Sequence, residues 1–294
     1  MKTDMRAWLI DIIEKCVRSS PENSLKMQSD ERAWDEVLVG FSSAADPLYD
    51  AYKQLVGPFH WTPIEIFSLA FPDVAARPED LTVISWILTQ REATKADNRK
   101  ETFYPSRRWV HARFPGEEFN HHLRRYVVQE LTSVGVKAIA PVLSDQWSME
   151  KSPTYGLASK WSERHAAYAA GLGTFGLCDG LITAKGKAHR AGSVVANLTV
   201  APSPRPYEDH HAYCLYFYDG SCKACRERCP VSAITERGHD KEKCWAHAKG
   251  TCGEHTKTHY GFDGYGCGLC QTGVPCESGI PAKILRRGIG DSKL

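Results

Sequence analysis

No apolar run in the chain approaches the roughly 20 residues that a helix needs to cross a bilayer, which predicts that no membrane is a partner. Net charge is nearly missing as well. The 37 Lys and Arg against 35 Asp and Glu leave +2, too little for a protein whose affinity rests on neutralising many phosphates. Local basic clusters at residues 107–108, 121–125 and 185–190 read as solvated faces. No internal repeat or low-complexity tract is present, and no twin-arginine signal opens the chain. Cysteine is scarce over most of the length: Cys16 and Cys178 stand alone, and the other nine of 11 fall between Cys214 and Cys276.

What is present is ordinary for a folded protein of 294 residues, with 42% hydrophobic and 24% charged side chains. Near the start, Leu9, Ile12, Ile13, Cys16 and Val17 recur at helical spacing, while Asp11 and Glu14 interrupt any apolar core a targeting signal would need. The spacing predicts an amphipathic helix ending at Ser19-Ser20-Pro21 in a cytoplasmic protein. The run LTVISWIL, residues 81–88, predicts a buried strand and VKAIAPVL, residues 136–143, a second. Between them Phe119, Leu123, Val127, Leu131 and Val134 share a helical face that Gly135 is placed to end. Strand, helix and strand in this order predict a crossover unit in an α/β or α+β sheet.

The stretch GLGTFG, residues 171–176, fits the dinucleotide spacing G-x-G-x-x-G. A dinucleotide site needs a strand before those glycines and a helix after them. Here a helix from Ser159 or Ser162 to Gly171 leads in and a strand leads out, so the order is reversed. Two readings remain: Gly171 caps the helix while Gly173 and Gly176 permit a tight turn, or side-chain-free backbone lies close to a flat cofactor. Beyond it, GSVVANLTV, residues 192–200, alternates as a half-buried strand with Val194, Ala196, Leu198 and Val200 on one side. Pro202, Pro204 and Pro206 then interrupt regular structure. They place a domain boundary that divides residues 1–205 from 206–294.

Cysteine carries the chemistry. Nine thiols within 63 residues, in a compartment that keeps them reduced, point to metal rather than disulfides. Cys222-x2-Cys225-x3-Cys229-Pro230 matches the two-cluster ferredoxin run C-x2-C-x2-C-x3-C-P, except that Asp219 stands where its first cysteine would be. Two 4Fe-4S clusters need eight thiolates. The predicted sets are Cys214, Cys222, Cys225 and Cys276 for one cluster, and Cys229, Cys244, Cys267 and Cys270 for the other, leaving Cys252 spare and able to exchange with Cys214. Structural zinc is the rival, but the run crowds three cysteines too closely for one tetrahedral knuckle. Pro230 followed by VSAI reads as a ferredoxin turn into a short helix. The neighbouring His210, His211, His239, His247, His255 and His259 read mostly as solvated.

The segments WSERHAAYAAGLGTFG, GSCKACRERCPVSAI and GYGCGLCQTGVPC together resemble the epoxyqueuosine reductase and reductive dehalogenase superfamily, over about residues 35–280. Within it the chain looks most like the short epoxyqueuosine reductase-like iron–sulfur proteins. The resemblance implies an α+β amino-terminal domain of nitroreductase-like or corrinoid-processing type, followed by a small ferredoxin-like domain. It implies two 4Fe-4S clusters, fed by a donor such as ferredoxin or flavodoxin, that pass electrons to cobalamin for a reductive cleavage. FMN is the alternative cofactor, because nitroreductase-like sheets can hold it. His165, Gly171, Gly173 and Gly176 would lie by the corrin. Matching the strand end puts Asp145 at the family's catalytic aspartate; counting back from Gly171 puts Leu157 there. Tyr155, Lys160 and His165 are the other proton-donor candidates. Epoxyqueuosine reductases that act on tRNA carry a carboxy-terminal helical-repeat region, and about 18 residues follow Cys276 here. A small-molecule substrate is therefore expected in preference to tRNA, with an electron-transfer or corrinoid-activating protein lacking its own substrate as the alternative function.

Overall fold

The computed structural model describes residues 4–28 and 31–290. Helix α1 (Met5–Ser19) starts at Asp4, whose carboxylate accepts from the backbone N–H of Arg6 and Ala7 at 3.0 and 3.3 Å. These are two of the N–H groups that a helix start leaves unpaired. Its predicted stripe, Leu9 to Val17, is buried. Strand β1 (Trp34–Ser43) pairs antiparallel with β2 (Thr82–Gln90), and α2 (Leu48–Val56) and α3 (Pro63–Ala70) lie between them in sequence. The apolar run at 81–88 forms most of β2, whose nine residues are all buried.

Helices α4 (Glu92–Lys100), α5 (Arg107–Arg113) and α6 (Pro115–Ser133) lead to β3 (Ala138–Ile139). Of the α6 face, Phe119, Leu123, Val127 and Leu131 are buried and Val134 is exposed, because the helix has ended before it. Val136 N–H closes back on Leu131 O at 2.9 Å across Gly135, the expected glycine cap. The strand predicted over 136–143 shrinks to two residues. Pro141 has no N–H to give a ladder, and Pro141–Leu143 turns as a 3-10 helix.

Downstream lie the hairpin of β4 (Met149–Ser152) and β5 (Gly156–Ser159), helix α7 (Glu163–Ala169), the hairpin of β6 (Gly173–Phe175) and β7 (Leu181–Thr183), and β8 (His189–Ala196). The main sheet runs β1–β2–β8–β3 with every neighbouring pair antiparallel. The predicted crossover therefore exists, but β8 sits between its two strands. That central place explains why β8 is buried on both faces from Ala191 to Ala196, rather than half-buried.

Two cores flank the sheet. Ile84, Trp86, Leu88, Val194 and Ala196 pack with Leu9 and Ile13 of α1 and Leu123 and Val127 of α6. The alternate residues Val83, Ile87, Ala191 and Val195 pack with Tyr49 of α2, Phe67 of α3 and Ala167 of α7. The period of two along each strand feeds both faces. The result is a three-layer α+β arrangement.

Because β3 pairs only with Ala196 and Val195, the rest of that edge of β8 needs other partners. Asn120 Nδ2 and Arg124 Nη2 supply them, donating to Ala191 O at 3.0 and 3.3 Å. Arg124, 1% exposed, also pairs with Glu117 at 3.0 Å and with Glu163 at 2.9 Å, so it clasps the start of α7 to α6. Burial pushes the Glu163 carboxyl above the usual range. The same burial is overcome at Glu117, which Arg190, His121 and Arg124 hold well below it. The cluster at 121–125 is thus not simply a solvated face.

Residues 201–207 carry no helix or strand, and the predicted division at 205 falls there. The cysteine-rich stretch contains α8 (Leu215–Asp219), α9 (Ala224–Glu227), the pair β9 (Ile234–Thr235) and β10 (Gly238–His239), α10 (Lys241–Trp245), a π-helical turn Ala246–Thr251, α11 (Cys252–Tyr260) and, near the end, α12 (Ala282–Gly290). After Pro230 the chain enters β9 rather than the expected short helix. Hydrogen bonds that join this stretch to the preceding hairpin and to the residues just before β8 include Phe175 N to His210 O (2.7 Å), Tyr213 N to Thr174 Oγ1 (2.9 Å), Lys187 N to Cys276 O (2.9 Å) and Ala188 N to Glu277 O (3.2 Å).

A candidate cysteine-lined centre

The thiols from the C-x2-C-x3-C-P run converge with distant ones because short helices and turns carry them. Cys214 caps the start of α8, Cys222 and Cys225 enter and occupy α9, and Cys276 is anchored by its carbonyl to Lys187 N. All four line one cavity, with Leu177, Ile182, Val274 and Lys187 among its other walls. Asp219, at the position of the missing cysteine, instead forms an ion pair with Lys283 and accepts from Ser221 N at 2.9 Å. It is not in the wall of that cavity.

The second predicted set is more dispersed. Cys229 and Cys270 pack against the same apolar cluster as Cys214, Cys225 and Cys276, and Cys229 Sγ accepts from Ala233 N at 3.2 Å. Cys267 lies against Cys252 and His247, and Cys252 Sγ is 3.3 Å from His247 Nε2. Cys244 lies beside His239. Cys252 is completely buried and His247 nearly so, which corrects the expectation that histidines here are mostly solvated. Among the described residues, no three His, Cys, Asp or Glu side chains gather tightly enough to hold one metal ion. The possible metal ligands around the cavity are all sulfur, set among mostly apolar walls that also hold the Lys187 ammonium. That set suits a cluster ligated by several thiolates, and 4Fe-4S fits these residues.

Sequence reasoning passed over Cys178. The tip of the β6–β7 hairpin carries it inward, where it touches the Cys225 and Cys270 thiols and receives a hydrogen bond from Lys187 Nζ at 3.3 Å. Hydrogen bonds from Cys225 and Cys270, opposed by burial and aided by the lysine, hold its thiol well below the ordinary range. Cys225 and Cys270 are pushed up by sharing with it.

The glycines lie elsewhere in character. Gly171 has φ +77°, and a Cβ there would stand 2.2 Å from Pro204 O; at Gly173 it would stand 2.3 Å from Ile182 O. Leu172 N–H returns to Ala167 O at 3.0 Å. The chain's own backbone fills the space beside both residues, as a helix cap and a tight hairpin require. Gly176 turns the same hairpin, its N–H donating to Gly180 O at 2.8 Å. His165 is enclosed by Tyr52, His60 and Phe175, with Nδ1 2.7 Å from Ser162 Oγ. Burial holds its imidazole neutral, well below the usual range. Gly173 and Gly176 are buried against the chain itself, while Gly171 and His165 are partly exposed.

Of the four proton-donor candidates, His165 lies on α7, and the other three belong to the β4–β5 hairpin and its flanks. Asp145 is exposed in the turn before β4. Tyr155, in the turn between the strands, has Lys241 Nζ 5.4 Å from its ring centre. Lys160 donates to Gln146 O at 3.1 Å and lies over Trp61, 5.5 Å from that ring's centre. It lines an open groove with Lys53, Phe59, Trp61 and Glu65, which shares no lining residue with the cysteine cavity.

No known protein-family profile matches the chain. Epoxyqueuosine reductases of Bacillus anthracis and Bacillus cereus are 28% and 27% identical to it over 163 residues, which are 54% of this chain and 36% of each relative. The match thus spans about a third of the relatives' length. Among solved structures, a variant of the catabolic reductive dehalogenase NpRdhA superposes with a TM-score of 0.50 at 11% identity, over 95% of this chain and 37% of that one. An epoxyqueuosine reductase solved with an epoxyqueuosine-modified tRNA-Tyr stem loop gives 0.49 at 16% identity, over 95% and 67%. The resemblance to the epoxyqueuosine reductase and reductive dehalogenase superfamily stands, and the fold is α+β.

Proposed function

We propose that the chain is an iron–sulfur oxidoreductase similar to the epoxyqueuosine reductases, holding two 4Fe-4S clusters and delivering electrons for the reductive cleavage of a small molecule. The observation that carries this reading is the single cavity walled by Cys214, Cys222, Cys225 and Cys276. These four would hold one cluster, and Cys229, Cys244, Cys267 and Cys270 the other. When bound, such clusters supply electrons one at a time at potentials that reach about −700 mV. The protein's own part is to fix the thiols, exclude water and deliver protons. Leu177, Ile182 and Val274 exclude water from the cavity. Asp145, Tyr155 and Lys160 remain the proposed proton donors, with Lys160 favoured because it lines a groove wide enough to admit a ligand.

Cobalamin is the electron acceptor that the resemblance implies. Gly173 and Gly176, enclosed by the chain's own hairpin, offer it no face, so no step is assigned through it. The same closed glycine segment favours the second reading, a two-cluster electron carrier that reduces a partner's cofactor.

Anaerobic reconstitution followed by electron paramagnetic resonance of cob(II)alamin separates the two. A protein-induced change to a base-off cobalt signal supports a resident corrinoid and a substrate of its own. An unchanged signal with intact clusters supports the carrier. Transfer RNA, which that solved epoxyqueuosine reductase binds as a stem loop, is the rival substrate; tight binding of epoxyqueuosine-tRNA would replace the small molecule.

A further inference from the structure

Lys187 is an ammonium group in the wrong surroundings for a surface residue. It is 3% exposed, and the described ion pairs give it no carboxylate partner. Its side chain donates to Cys178 Sγ, 3.3 Å away, and also hydrogen-bonds the Cys276 thiol. It also stands in the wall of the cavity with Cys214, Cys222, Cys225 and Cys276. A buried cation costs several kcal/mol unless an anion compensates it, and the anions within reach here are all sulfur.

The backbone fixes the lysine in that place. Lys187 N donates to Cys276 O and Ala188 N to Glu277 O, so the start of β8 is zipped to the chain that carries Cys276. Gly186 permits the approach, since a Cβ there would stand 2.1 Å from Glu277 O. From the other side, the β6–β7 hairpin brings Cys178 to the ammonium. Arg164 Nη1 holds the tip of that hairpin through Asp179 O at 2.6 Å, and His239 and Lys241 hold the Asp179 carboxylate at 3.4 and 3.8 Å. A cation carried by a segment outside the cysteine-rich stretch is thus built into a thiol-lined centre.

We infer that Lys187 is the buried counter-charge of the cluster held by Cys214, Cys222, Cys225 and Cys276, and that it raises that cluster's reduction potential. The inference rests on the iron–sulfur reading above. A four-thiolate 4Fe-4S centre is an anion and gains a further negative charge on reduction, so a fixed cation nearby favours the reduced state; net charge and hydrogen bonds to sulfur are established determinants of cluster potential. Lys187 acts on the cluster as a positioning and tuning residue, not as a ligand.

The test is a redox titration, monitored by electron paramagnetic resonance, of the reconstituted full chain and of Lys187→Met and Lys187→Arg, with iron and acid-labile sulfide counted in each. A wild-type chain without labile sulfide defeats the iron–sulfur reading itself. With clusters present, Lys187→Met is expected to keep its iron and move one cluster to a more negative potential, while Lys187→Arg stays near wild type. Loss of one cluster in Lys187→Met, with Lys187→Arg intact, would make Lys187 necessary for holding the cluster and overturn the tuning role. Unchanged potentials in a fully loaded Lys187→Met, or equal loss of iron in both variants, overturn the inference while leaving the iron–sulfur reading in place.

Discussion

Single side chains decide which thiols meet at the cavity. Cys214 lines the same cavity as Cys222, Cys225 and Cys276, whereas Cys252 is enclosed with Cys267 and His247. Cys214→Ser is therefore expected to lose the iron of one cluster, about four per chain, and Cys252→Ser to keep it; the iron content of the two purified variants decides. Buried histidines set a second expectation. His189 is largely buried, with Nε2 2.8 Å from Leu181 O, and burial lowers its pKa to about 4. A depressed value in the fold means that the unfolded chain takes the proton first. Its stabilising effect is whole above about pH 6.5 and is lost as pH falls towards 4. At about 1.4 kcal/mol per pH unit, the cost reaches roughly 3 kcal/mol. Urea unfolding at pH 7 and pH 5 is expected to show this slope, reduced in His189→Gln. Arg124 gives the third. Removing it leaves the Glu117 and Glu163 carboxylates buried without their shared partner, and Arg124→Met is expected to cost about 3–5 kcal/mol.

Among the elements, those with a full periodic face were legible in the sequence. The stripe of α1, the buried run of β2 and the Leu123–Val127–Leu131 face of α6 each follow one period, and each is where that period puts it. Two strands misled for opposite reasons. The run at 136–143 has strand composition, but Pro141 ends its ladder after Ile139. The alternation at 192–200 reads as half-buried because Ser193 and Asn197 are polar. Ser193 is nevertheless buried, since its hydroxyl bonds to Glu163 and Trp161. Charge was harder to place than apolarity. Arg124 and Lys187 sit in basic runs that resemble solvated faces, and nothing local says that each is enclosed by groups more than 30 residues away or beyond a hairpin. Helix α7 offers a small test of local chemistry: Ser162 Oγ accepts from His165 N at 3.4 Å and lies 2.7 Å from His165 Nδ1. Ser162→Ala is expected to cost about 1 kcal/mol, measured as a fall in the midpoint of chemical unfolding.

For the whole molecule, the spacing of the thiols was the readable part and their meeting points were not. The sequence run names Cys222, Cys225 and Cys229 as a unit, and Cys214 and Cys276 join them only because the fold returns. Cys178 was passed over because it lies 36 residues before the cysteine-rich stretch and carries no motif; a tight hairpin and a buried lysine bring it in. The sheet, with α1 and α6 on one face and α2, α3 and α7 on the other, is the support against which these turns are held. Its likeness to a reductive dehalogenase concerns the fold, and the chemistry rests on the cysteines. The measurement that tests this most directly is the iron and acid-labile sulfide content of the anaerobically reconstituted full chain, with electron paramagnetic resonance of its dithionite-reduced form. The account predicts about eight irons and eight sulfides per chain, with signals from two interacting 4Fe-4S centres. Zinc in their place, with no labile sulfide, would contradict it.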